Sequence, residues 1–218
     1  MTFAHTLLNR RQTIAGLSVV TGSAVLLPNR VRPAAAANIN LAATFNAQMR
    51  SLWEDHIAWT RLYIVSAVAA LPDLEATTNR LLTNQDDIGA AVGTYYGDQA
   101  GSDLAVLLRD HILGAAKLLT AAKAGDTDAV ASASTEWYAN AKAIGTFLAA
   151  ANPDNWTEAA LTDQMNMHLD MTLTEATAQL SGDFTGSVQA YDAIRVHILG
   201  MADVLSSGII AQFPAKFA

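Results

Sequence analysis

The clearest pattern in the chain is a stripe. Between residues 102 and 124, Leu104, Leu107, Leu108, His111, Ile112, Ala115, Leu118, Leu119 and Ala122 recur at the spacing of one buried helix face. Only histidine interrupts the apolar run. An earlier stretch has the same build: Trp53, His56, Ile57, Thr60, Ile64 and Ala67 share one face if it is helical. A histidine on such a face needs partners for its ring nitrogens, because an unpaired buried polar group is unfavourable.

Turn signals divide the chain into six helical segments. Helices are expected over about 41–70, ended by Leu71-Pro72-Asp73, and over about 74–95, ended by a loop Tyr96-Gly97-Asp98-Gln99-Ala100-Gly101. A third runs from a Ser102-Asp103 cap to Ala124, and a fourth covers 127–151 before Asn152-Pro153-Asp154-Asn155. The last two span about 157–180 and 185–212, the latter stopping before Pro214. No strand-like alternation competes. Short connections make neighbouring helices antiparallel, so the expected fold is all-α, an up-down antiparallel bundle.

The segments repeat. Arg109-Asp110-His111-Ile112-Leu113-Gly114 is echoed by Arg195-Val196-His197-Ile198-Leu199-Gly200, and Gly125-Asp126 by Gly182-Asp183. The inward polar residues His56, Asn84, His111, Asn140, His168 and His197 are separated by 28, 27, 29, 28 and 29 positions. Three helical hairpins built to one plan account for this. With ~1.5 Å of rise per residue, each of the six lies roughly 20 Å from the bundle ends. Antiparallel packing then gathers them in one layer at mid-height.

Composition narrows the function. Residues 1–37 read as an export signal of the twin-arginine type: Arg10-Arg11, an apolar run to Leu27, then Ala34-Ala35-Ala36-Ala37 with A-x-A cleavage sites. Asn9 and Thr13 depart from the usual twin-arginine pattern, and the Sec route is the alternative. The expected location is periplasmic or extracellular, with residues 38–218 as a single helical-bundle domain. Losing residues 1–37 removes Arg10, Arg11, Arg30 and Arg32, leaving nine basic against 20 acidic residues. A chain that acidic repels phosphate backbones, so no nucleic-acid partner is expected. After the signal, no further apolar run is expected to span a bilayer. The absence of cysteine excludes disulfides, thiolate-bound zinc, iron–sulfur clusters and covalent haem.

The layer is where chemistry would sit. Imidazoles from facing helices suit zinc, copper, iron or nickel, and non-covalent haem with His/His or His/Met ligation is equally allowed. The candidate metal ligands are His56, His111, His168 and His197, with Asp87 and Glu175 as completions. Asn84 and Asn140 would orient the imidazoles. The alternative is a buried hydrogen-bond network that only fixes helix register, in a structural or small-ligand-binding module. No catalytic residue is assigned: the chain has no Glu-x-x-His pair, His-Glu-x-x-His motif, P-loop or Gly-x-Ser-x-Gly elbow.

Trp53-x-x-His56-x-x-Trp59-Thr60-Arg61, Arg80-Leu81-Leu82-x-Asn84, Trp137-Tyr138-x-Asn140-Ala141, Asn152-Pro153, His168-Leu169, Met201-Ala202-Asp203 and Gln212-Phe213-Pro214 together resemble a family of bacterial all-helical proteins of unestablished function. The resemblance extends from about Leu52 to Pro214. It implies the helical fold and a core of His56, His111 and His168, with another residue often at the place of His197. It implies no activity.

Overall fold

The computed structural model describes residues 40–218, so the export signal expected at residues 1–37 lies outside the described residues. Six α-helices follow one another: α1 (Leu41–Ala69), α2 (Leu74–Tyr96), α3 (Asp98–Ala124), α4 (Thr127–Ala151), α5 (Glu158–Ser181) and α6 (Phe184–Gln212). A single 3-10 turn, Pro214–Lys216, ends the chain. No strand occurs among the described residues.

Local chemistry sets the boundaries. Side chains of Asn40, Asp126, Thr157 and Asp183 accept from backbone N–H groups in the first turns of α1, α4, α5 and α6, satisfying donors that the helix cannot. The junction of α2 and α3 differs from the expected six-residue loop. Only Gly97 leaves the helical conformation, at φ +96°, a region that favours glycine. Gly101 is no breaker: a methyl on Gly89 would stand 2.5 Å from its carbonyl oxygen. The glycines let the backbones of α2 and α3 touch.

Each helix packs on its neighbours in the chain, and α6 closes on α1, so the six form a ring. Helix α1 also reaches α3 and α5, which sets it inward of the others. Odd-numbered helices run one way and even-numbered helices the other. One end of the bundle therefore carries the turns within the three hairpins, and the other carries Asn40, the α2–α3 and α4–α5 connections and the C-terminus. Helix α6 departs from the expectation that no later segment is long and apolar enough to cross a membrane, since its 29 residues meet that test. Half of its apolar window is buried inside the bundle, so core packing already accounts for its composition.

Candidate functional site

His56 on α1, His111 on α3 and His168 on α5 are all buried. Their ring centres form a triangle with sides of 6.5 Å (His56–His111), 6.1 Å (His111–His168) and 5.6 Å (His56–His168). The 3.6-residue period delivers all three to the bundle interior at one height. Burial holds every ring neutral. It lowers His56 from 6.5 to about 3, with the nearby His111 adding to the effect, and His111 to about 4. His168 is pushed well below its ordinary value by burial and then by its three histidine neighbours.

The even-numbered helices serve this triangle by one rule. Asn84 Nδ2 on α2 donates to the carbonyl of Leu52, four residues before His56. Asn140 Nδ2 on α4 donates to the carbonyl of Leu107, four before His111. In the third hairpin His197 Nε2 lies 3.0 Å from the carbonyl of Gln164, four before His168. His197 thus stands where the other hairpins place asparagine. It is only half buried, and its ring centre is 6.4 Å from that of His168. A carbonyl can only accept, so the proton is on His197 Nε2. That nitrogen is committed to α5, which leaves only Nδ1 of His197 for ligation alongside the other three.

Hydrogen bonds also set the tautomers of the triangle. Asn140 uses its amide nitrogen on Leu107, so its Oδ1 faces His111 Nδ1 at 3.1 Å and that nitrogen carries the proton. His111 is left with a lone pair on Nε2. His56 is the opposite case. Its Nδ1 lies 3.3 Å from Gln85 Nε2, which can only donate, so the proton of His56 belongs on Nε2. Gln85 also donates to Leu81 O and Asn84 Oδ1, three acceptors for two hydrogens, and its own Oε1 is buried without a partner. His168 Nδ1 is likewise buried with no partner among the described residues.

Gln85 is the functional residue that sequence reasoning missed, although a signal existed. It lies 29 positions after His56, the separation of Asn140 from His111 and of His197 from His168. The first hairpin splits between Asn84 and Gln85 the two tasks that Asn140 performs alone. Trp137 donates from Nε1 to the carbonyl of His111 and lies beside that ring, centres 5.2 Å apart.

The two carboxylates do not join the layer. Asp87 is exposed, 3.9 Å from Arg80 on its outer face. Glu175 is buried but lies two turns beyond His168, where Arg61 meets it at 2.5 Å. Arg61 also donates to Ser187 on α6. Burial raises the Glu175 carboxyl, and Arg61 opposes that rise. Of the two completions drawn from helical spacing, Asp87 points outward and Glu175 already has its cation. Among the described residues, no three His, Asp or Glu side chains already converge on one metal position.

No family model, curated protein or solved structure matches this chain. The motif resemblance therefore brings no family and no activity to it.

Proposed function

We propose that the protein holds a transition metal ion between His56, His111 and His168. The observation that carries this reading is three neutral imidazoles clustered in the core with their planes inclined by 28–49°, one of them with a buried Nδ1 that no described residue satisfies. A buried donor or acceptor without a partner costs about 1–3 kcal/mol. Neutral imidazole is also the form that binds metal. Asn140 holds His111 in the manner of a metal-ligand histidine, Nδ1 anchored and Nε2 open.

Metal binding requires rearrangement. With nitrogen–zinc bonds of ~2.0–2.1 Å, ring centres around one ion stand roughly 5–5.5 Å apart. The observed 5.6–6.5 Å must contract by up to about 1.5 Å, within reach of ring rotation. His56 must also release Gln85 to ligate through Nδ1, or in addition move its proton to Nδ1 to ligate through Nε2. Haem fares worse. The spaces on the two sides of the layer are about 20 and 150 Å³, and a 150 Å³ cavity admits a benzene, not a porphyrin.

A second reading is favoured by the repeated tie from each even helix to the carbonyl four before each histidine. On that reading the layer fixes helix register. The two separate by experiment. Protein purified without a polyhistidine tag is analysed by mass spectrometry for bound metal, then titrated with Zn²⁺ and Cu²⁺ alongside His111→Leu. The metal reading expects near-stoichiometric uptake, a raised Tm and loss of both in the variant. A metal-free protein whose Tm ignores both ions leaves only the register role. Neither outcome points to a catalytic residue.

A further inference from the structure

We propose that the half of the bundle carrying the hairpin turns is a binding cavity for an uncharged, single-ring-sized apolar molecule bearing one hydrogen-bond donor, with phenol as its type. This rests on the cavity alone and not on the metal reading. The space measures about 150 Å³, a volume known in an unrelated engineered protein to stay dry and take up benzene. Its walls come from α1 to α5, chiefly aliphatic side chains such as Ile112, Leu118 and Leu119. No charged residue lines it, so a charged ligand would lose its hydration without compensation.

Four hydroxyl residues line the wall, Thr60, Tyr63, Thr172 and Thr177, with Thr177 exposed at the solvent end, and the two next to the histidine layer are specific. Thr60 and Thr172 each lie four residues after a histidine of the triangle, and each hydroxyl donates to that histidine's own carbonyl, at 2.7 and 2.8 Å. With their hydrogens committed, these hydroxyls offer the cavity acceptor capacity only. A ligand with one O–H or N–H is therefore preferred over a plain hydrocarbon. Ala115 holds the corresponding position after His111, leaving room that threonine fills in the other two hairpins. One helical turn, ~5.4 Å of rise, separates this floor from the imidazoles. The lining residues Ala122 and Thr177 are exposed, so the cavity reaches solvent at the turn end.

The test titrates the full chain with phenol and with benzene, following tryptophan fluorescence, to which Trp137 on the wall contributes, and Tm. Saturable binding of both is expected, with phenol at least threefold tighter. Thr60→Val with Thr172→Val should erase that preference. Ala115→Leu and Ala176→Leu, which fill the space, should weaken binding at least tenfold without lowering Tm. The proposal is overturned if neither compound saturates at its solubility limit, or if the filled variants bind like the parent. Should a filled variant not fold, crystals of the parent under xenon decide: a xenon site beside Ile112, Leu119 and Ala176 supports the cavity, and its absence refutes it.

Discussion

The core on the two sides of the histidine layer is built differently. Toward the chain ends, Met49, Ile88, Ile144 and Ile209 are fully enclosed, and methionine, tryptophan and an aromatic group around Phe45, Tyr95 and Phe217 leave only about 20 Å³ open. Toward the hairpin turns a smaller cluster of Tyr63, Ile64, Leu81, Ile112 and Leu119 surrounds about 150 Å³. Polar ties near the rim help hold that end: Arg61 to Glu175, Ser66 to Asp73, and Lys123 to the carbonyl of Ala67. At ~24 cal/mol per Å³ the larger void forgoes roughly 3–4 kcal/mol, a sizeable share of the 5–15 kcal/mol by which domains are usually stable. One half is optimised for packing and the other is not. The layer between them is where the two requirements meet.

The largest effect should come from protonating that shared wall. Unfolded histidine takes up a proton as pH falls through its ordinary 6.5, whereas folded His111 waits until about 4 and His56 until about 3. Stability is therefore full above 6.5 and declines on acidification, His111 levelling off near 4 and His56 near 3. His111 alone accounts for roughly 3 kcal/mol at ~1.4 kcal/mol per unit. Glu175, raised by burial, acts in the opposite direction just above its ordinary 4.5. Urea unfolding from pH 7 to 4 should show the decline, shallower by about one proton in His111→Leu. An unchanged slope in that variant would mean that His111 is not held neutral.

Truncations probe the two halves directly. Ile144→Ala, in the packed half, should lose about 4 kcal/mol, and Leu119→Ala, already bordering a void, about 2 kcal/mol. Equal losses by chemical denaturation would erase the distinction. Enlargement should reverse the order: Ala202→Leu overpacks the tight half and should cost about 1–3 kcal/mol, while Ala115→Leu should be neutral or stabilising. The smallest effect belongs to a turn. Ala70 adopts φ +53° where the other hairpins have Gly125 and Gly182, so Ala70→Gly should raise stability by up to about 1 kcal/mol. A lower Tm would show that the Ala70 methyl contributes more than its backbone conformation costs.

Much of this was legible before the structure. Helix number, hairpin repeat and the single layer follow from periodicity, because a 3.6-residue stripe states its own buried face and near-equal spacings place His56, His111 and His168 at one height. What sequence could not resolve was partnership. Spacing suggested that Asp87 and Glu175 share their neighbours' faces, but only packing showed that Asp87 points to solvent and that Arg61 already holds Glu175. His197 matched its neighbours in type while matching Asn84 and Asn140 in role. Gly97 and Gly101 looked alike as loop glycines, yet one turns the chain and the other lets two helices touch. The cavity left no mark in the stripe at all, since apolar periodicity reports which face is buried and not how completely it is filled.

The most direct test of the central claim is anomalous diffraction from crystals of the protein grown with zinc. A single anomalous peak is expected inside the His56–His111–His168 triangle, bonded to one nitrogen of each ring at ~2.0–2.1 Å. His111 should bind through Nε2 and keep its Asn140 contact. No peak at that position, with the three rings unmoved, would contradict the metal reading and leave the layer as a hydrogen-bonded wall between two unlike halves of the core.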